Sequence, residues 1–156
     1  MPEPRLSLLI PVYNNEPTLA ALAERIARSL DGWTFEVILV NDGSRDGSLE
    51  VLKGLAARDQ RFKVISFSRN FGQHPAIGAA LDFATGDVMV LLDADLEDQP
   101  EHIPGLVRAL GASAVDVVYT TKGEAGVSPR SITSDLYHKA FSTSVGVTLP
   151  RQLGTF

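Results

Sequence analysis

Two carboxylates one residue apart, Asp93 and Asp95, close the apolar run Val88-Met89-Val90-Leu91-Leu92, and two more acids, Glu97 and Asp98, follow at once. Oxygen-only ligands at that spacing suit a hard divalent cation that also carries phosphate oxygens, better than they suit zinc. A metal-bound diphosphate is therefore the first chemistry to expect. On a continuing strand the two side chains would project to opposite faces, so a turn after Asp93 is needed for both to reach one ion, directly or through water. The plainer alternative for these acids is capping of the next helix, a duty that Asp98 also fits.

Four further residues have the right chemistry and an equally ordinary alternative. Asp42 lies beside Gly43 in a loop of small residues, where its carboxylate can accept from the N–H of a nucleobase edge or simply form an Asx turn. Glu16 can bond a ribose or a base, or cap a helix. Arg69 can neutralise a phosphate. His74 has the charge range of a switch but equally suits a helix entry, and His102 and His138 are expected to be exposed.

The elements that must position these residues alternate along the chain. Leu6–Val12 is a short apolar strand ended by Pro11, and a helix opened by Pro17 carries Leu19, Leu22, Ile26 and Leu30 until Asp31-Gly32 stops it. Phe35–Val40 is a second strand, leading through Asn41–Ser48 into a helix with Leu49, Leu52 and Leu55. Val64–Phe67 is a third, followed by a helix over about Ala76–Ala84 with Ile77, Ala80 and Leu81 inward. Val88–Leu92 is a fourth strand, expected to be buried on both faces.

A helix including Leu106, Val107 and Leu110 follows it; its start is ambiguous, because Pro100 and Pro104 are not both comfortable inside. Val115–Tyr119 reads as a fifth strand, Thr120–Arg130 as a polar loop and Ile132 to about Val145 as a helix. This alternation specifies a three-layer α/β/α sandwich with a mainly parallel sheet, in which the polar loops after the first four strands share one rim.

A chain of 156 residues with 44% hydrophobic and 21% charged residues is ordinary globular material for one domain. With no cysteine there are no disulfides and no thiolate metal sites. The net charge of −5 argues against a general nucleic-acid binder. Charge is uneven: residues 1–118 hold ten Lys/Arg against seventeen Asp/Glu, and residues 119–156 hold four against two. The mildly basic tail suits either a solvated helix face or the neighbourhood of anionic lipid. No apolar run approaches the roughly 20 residues of a bilayer span, and the polar start Met1-Pro2-Glu3-Pro4-Arg5 lacks a leader's apolar region.

Four blocks in order carry a resemblance. Ile10-Pro11-Val12-Tyr13-Asn14-Asn15-Glu16, Val40–Ser48, Ser68-Arg69-Asn70-Phe71-Gly72-Gln73-His74, and Ala84-Thr85-Gly86-Asp87 leading into Asp93–Asp98 resemble the family 2 glycosyltransferases of GT-A fold. More narrowly, they are similar to the branch that includes dolichol-phosphate mannose synthase and the bacterial enzymes that transfer glucose or aminoarabinose to undecaprenyl phosphate. The resemblance runs from about residue 5 to 110 and is weaker beyond.

It implies an inverting transfer of a sugar from a UDP- or GDP-linked donor to an acceptor such as a polyprenyl phosphate, at the cytoplasmic face of the cell membrane. Position by position it implies that Pro11, Tyr13, Glu16 and Asp42 hold the nucleotide and that Asp93 and Asp95 form a D-x-D pair. Asp95 would ligate Mg2+ or Mn2+ directly, and Arg69 would add to the stabilisation of the leaving group.

One departure concerns the end of the chain, where the branch carries an acidic residue near a Gly-x-Phe-Arg segment but Arg151-Gln152-Leu153-Gly154-Thr155-Phe156 has none. A phosphate acceptor, already anionic, has less need of a general base. The chain also stops where the family's domain continues, so the expectation is a C-terminally truncated single domain, residues 1–156, without downstream acceptor or membrane segments. The alternative is a non-catalytic nucleotide-sugar-binding module. A phosphatase of the haloacid dehalogenase type, which also uses D-x-D after a strand, places the pair on its first strand and a Thr or Val where Glu97 stands.

Overall fold

A computed structural model describes residues 3–113 and 115–120. The chain divides into two units, Met1–Ala114 and Val115–Phe156, and the second contributes only residues 115–120 to the description. The first unit is built in the order β1 (Leu6–Val12), α1 (Glu16–Ser29), β2 (Phe35–Asn41), α2 (Ser48–Arg58), β3 (Phe62–Ser66), α3 (Gln73–Phe83), β4 (Val88–Leu91), a 3-10 turn (Pro100–His102) and α4 (Ile103–Ala112).

The four strands form one sheet in the order β3-β2-β1-β4, with every pairing parallel. Parallel pairing requires a crossover after each strand, and α1, α2 and α3 supply them. The strand ends that lead into loops therefore all lie on one rim.

Alternation along the strands divides the core into two layers. Leu6, Leu8, Ile10 and Val12 of β1 and Phe35, Val37 and Leu39 of β2 pack with Leu19, Leu22 and Ile26 of α1, Leu52 of α2, and Ile103 and Val107 of α4. Leu9, Ile38 and Val40 face the other way, against Ala76 and Ala80 of α3. The small residues of α3 let its backbone approach the sheet closely, and among the described residues α3 is the helix on that face.

Three expectations change here. β4 is the edge strand of the described sheet, so its residues are only part-buried, and Met89, on the α3 side, is 46% exposed. Leu81 is exposed too: α3 begins at Gln73 and buries Ala80, as expected, together with Ala76. Val115–Tyr119, the described start of the second unit, is not a strand. The two prolines are accommodated separately, Pro100 opening the 3-10 turn and Pro104 lying in the first turn of α4. The expected loop over 120–130, the helix over 132–145, His138 and the terminal Arg151–Phe156 segment lie outside the described residues, apart from Thr120.

The opposite, amino-terminal end of the sheet holds a buried polar cluster. Glu36 Oε1 accepts from Ser7 Oγ (2.7 Å), Thr85 N (2.7 Å) and Thr85 Oγ1 (2.8 Å), and Oε2 accepts from Lys63 Nζ (2.6 Å). Gly86 N in turn donates to Ser7 Oγ at 2.8 Å. The cluster ties β1, β2 and β3 to the turn before β4. Burial pushes the Glu36 pKa up, but the bonds from Lys63, Ser7 and Thr85 outweigh burial and hold it at about 2, against an ordinary 4.5.

The folded state thus binds the Glu36 proton more weakly than the unfolded chain does. Its stabilisation is complete above about pH 5 and fades as pH falls toward 2. Glu36→Gln keeps an acceptor for Ser7 and Thr85 but sets an NH2 group against Lys63. We expect it to cost about 3 kcal/mol at pH 7 and to flatten the pH dependence of the urea midpoint between pH 5 and 2. An unchanged pH profile would contradict this assignment.

Candidate active site

The loops at the carboxyl rim are fastened to one another by side-chain-to-backbone bonds that local sequence does not announce. In the β1–α1 and β2–α2 loops, Asn14 N donates to Ser44 Oγ (3.0 Å), Arg45 N to Asn14 Oδ1 (2.8 Å) and Asn15 N to Ser48 Oγ (3.0 Å). Glu16 N donates to Asp46 Oδ2 (3.1 Å), while Gly47 N donates to Glu16 Oε2 (2.8 Å). Hydrogen bonds from the Ser48 hydroxyl and backbone amide, and from the Glu16 amide, outweigh the upward push of burial and lower the pKa of Asp46.

The β2–α2 and β3–α3 loops are joined by Asp42, which is buried. Its Oδ1 accepts from Phe71 N (2.7 Å) and its Oδ2 from Gly72 N (2.9 Å). Gly43, at φ +64°, lies directly against the backbone of Arg69 and Asn70. Gly72 has φ +97° and delivers the chain into α3. A carboxylate carries two lone pairs on each oxygen, so Asp42 retains acceptor capacity after taking two amides.

β4 ends at Leu91, Leu92 N makes a last bond to Leu9 O of β1 (3.1 Å), and the chain then turns. Ala94 is buried, and its carbonyl accepts from Thr18 Oγ1 of α1 at 2.6 Å. Asp95 is exposed and forms an Asx turn, Oδ1 accepting from Glu97 N at 2.9 Å, and Leu96 takes φ +69°. Asp93 Oδ1 accepts from Gln73 Nε2 at 3.1 Å. Beyond the turn, Arg25 of α1 grips Glu101 through two bonds of 2.8 and 2.6 Å and holds that carboxyl at about 2. Asp98 is not the cap of the 3-10 turn: Gln99 holds that position, with no side-chain cap bond.

These loops enclose a cleft of about 290 Å3 lined by Pro11, Val12, Tyr13, Asn15, Asp42, Asn70, Gly72, Gln73, Asp93, Ala94 and Asp95. Five of the sequence-derived candidates, Pro11, Tyr13, Asp42, Asp93 and Asp95, are thus on one cleft. Glu16 is not among its lining residues: its carboxylate accepts from Gly47 N of the β2–α2 loop, and so fastens two loops together. Arg69 does not line it either, because its guanidinium stacks 4.6 Å from the centroid of the Phe71 ring. His74 is exposed in the first turn of α3.

Sequence reasoning assigned no role to Asn15, Asn70, Gly72 or Gln73. Of these only Gly72 carries a local signal, a glycine directly before a helix.

The donor set fits a hard cation held jointly with a ligand. Asp93 and Asp95 offer carboxylate oxygens on one cleft, and no group of three or more potential metal-binding side chains occurs among the described residues. An ion seated here would complete its shell with phosphate oxygens and water, the usual habit of Mg2+.

A parallel sheet with a carboxylate-lined cleft at its carboxyl rim defines an α/β domain of the kind that binds ligands at that rim, and comparison with known proteins gives its family. Residues 7–149 match the model of glycosyl transferase family 2, and the chain belongs to that family. Among curated relatives, it is 40% identical over 146 residues to the undecaprenyl-phosphate 4-deoxy-4-formamido-L-arabinose transferase of Aeromonas hydrophila, covering 91% of this chain and 44% of the relative. It is 43% identical over 148 residues to the transferase of the same name in Pseudomonas aeruginosa, covering 92% and 43%.

The chain therefore spans less than half the length of these relatives. Among solved structures, the mannosyltransferase PcManGT of Pyrobaculum calidifontis in complex with GDP-Man and Mn2+ superposes with a TM-score of 0.62 at 24% identity, over 77% of this chain and 36% of that one. S. aureus TarS 1-349 in complex with UDP gives 0.64 at 24% identity, over 80% and 37%. These likenesses establish the fold, which is GT-A.

Proposed function

We propose that this domain holds a nucleotide diphosphate sugar in the cleft between Asp42 and the Asp93/Asp95 pair and, within a longer protein, supports inverting transfer of the sugar to a polyprenyl phosphate. The observation that carries the reading is the presence of Asp42, Asp93 and Asp95 on one cleft at the carboxyl rim. In this reading Asp42 accepts from the base, with Pro11 and Tyr13 forming the nucleoside wall. Asp93 and Asp95 hold Mg2+ or Mn2+, which when bound neutralises charge developing on the departing nucleoside diphosphate.

The acceptor's phosphate oxygen attacks C1 of the sugar as the bond from C1 to the diphosphate breaks. No proton need be removed from an anionic acceptor. Arg69, stacked on Phe71, steadies the loop beside the cleft and is given no contact with the reacting atoms. Glu16 supports the nucleoside wall by clasping the β2–α2 loop.

The names of the relatives point to the lipid acceptor, and the GDP-Man, UDP and Mn2+ complexes of the structural neighbours are in keeping with the donor and ion. The reading places the full-length protein at the cytoplasmic face of the membrane, where such an acceptor is met. Among the described residues no helix is long and apolar enough to cross a membrane.

Calorimetric titration with UDP and GDP, with Mn2+ and with EDTA, tests the donor site. One nucleotide should bind, at least about tenfold more tightly with Mn2+. Binding without any sugar transfer, even by the full-length protein supplied with polyprenyl phosphate, would favour a non-catalytic binding module. No binding of either nucleotide would contradict the reading.

A further inference from the structure

We infer that Gln73 is a positioning residue for the cation site: it orients the Asp93 carboxylate from the head of α3, and is itself placed by the bond between Asp42 and the amide of Gly72 just before it. The inference rests on the donor reading above and adds to it a residue that the resemblance does not assign. Its first observation is the bond from Gln73 Nε2 to Asp93 Oδ1 at 3.1 Å, between two residues that both line the cleft. Asp93 directly follows Leu92, whose amide makes the last bond to β1, at Leu9 O (3.1 Å); the sheet thus holds the backbone up to Asp93, and Gln73 is one of the contacts on its side chain.

The second observation is how Gln73 is held. It is the first residue of α3, and the amide just before it, Gly72 N, donates to buried Asp42 Oδ2 at 2.9 Å. The φ of +97° at Gly72 sets the direction in which the helix leaves that anchor. The bonds from Gly72 N to Asp42 and from Gln73 Nε2 to Asp93 thus tie two carboxylates of the cleft to adjacent residues at the head of α3.

The chemistry of the side chain suits this task. A carboxamide N–H donates to a carboxylate without adding charge, whereas lysine would repel the cation and glutamate would crowd Asp93 with like charge. Hydrogen-bond partners of metal-binding side chains orient them and typically account for about 10–100-fold in metal affinity. The exposed bond between Gln73 and Asp93 gains strength when a bound nucleotide displaces water from the cleft.

Gln73→Met keeps the length of the side chain and removes the donor. In calorimetric titrations, the Mn2+ concentration that half-saturates nucleoside diphosphate binding should rise about tenfold, while nucleotide affinity in EDTA and the thermal midpoint stay at wild-type values. If wild type responds to Mn2+ and Gln73→Met responds identically, the positioning role is wrong and the donor reading stands. If the variant loses affinity equally with and without Mn2+, or melts earlier by a comparable margin, Gln73 is merely structural and the inference is overturned. If wild type binds neither UDP nor GDP, the donor reading fails and the inference fails with it.

Discussion

Asp95→Ala should abolish the contribution of Mn2+ to nucleotide binding, weakening Mn2+-supported affinity by roughly 100-fold, or about 3 kcal/mol, and leaving the affinity in EDTA unchanged. The effect is large because the cleft has few carboxylates for an ion, and Asp95 is one of the two that close β4. Stability should barely move. The side chain is exposed, and its recorded bond is the Asx turn to Glu97 N, worth about 1 kcal/mol. Asp95→Asn separates the two roles, since it keeps an oxygen for the Glu97 amide and lowers the charge offered to the ion. Calorimetry should show it nearly as impaired as alanine, while thermal melting shows wild-type stability. A fully active asparagine variant would mean that Asp95 serves only the turn.

Gly43→Ala should be the most destabilising single change on the rim, costing about 2–5 kcal/mol. A Cβ built on Gly43 would stand 2.3 Å from the carbonyl carbon of Arg69 and 2.6 Å from Asn70 N, both backbone atoms that cannot rotate away. The backbone φ of +64° adds a penalty for any side chain. The β3–α3 loop would have to withdraw, breaking the two amide bonds to Asp42 and with them the placement of Gly72 and Gln73. Against a typical stability of about 5–15 kcal/mol the fold should survive in part, so urea denaturation would show a lowered midpoint together with lost nucleotide binding. Gly47→Ala makes a useful contrast. Its nearest obstacle is the Glu16 carboxylate at 2.6 Å, the end of a flexible side chain, which can shift at little cost.

How much of this was readable beforehand depended on the range of the interaction. β1 and β2 announce themselves as apolar runs, and the D-x-D pair stands out because charge follows such a run directly. The parallel order follows from the alternation of strands and helices. Periodicity failed where burial is decided by neighbours distant in sequence. Val88–Leu91 looks like a central strand, yet it forms the edge of the described sheet, and Leu81 fits the helical stripe of α3 although Ala76 and Ala80 make the contact.

The site shows the same division. Asp42 was legible as a turn acid beside glycine, but nothing near it in sequence signals that its oxygens meet amides 29 and 30 residues away. Glu16 and Asp46 look like ordinary loop acids, and the bonds that join their loops, from Glu16 N to Asp46 and from Gly47 N to Glu16, emerge only in three dimensions.

A bound Mn2+ ion, a paramagnet, broadens amide NMR signals according to distance, and so reports where on the molecule it rests. With the nucleoside diphosphate present at saturation, sub-stoichiometric Mn2+ should broaden the amides of Gly72, Gln73 and Asp93–Glu97 first. Those of Arg5–Ser7, Glu36 and Thr85–Asp87, at the far end of the strands, should keep their intensity. Uniform broadening, or loss of signal first around Glu36, would place the ion away from the D-x-D turn and contradict the account.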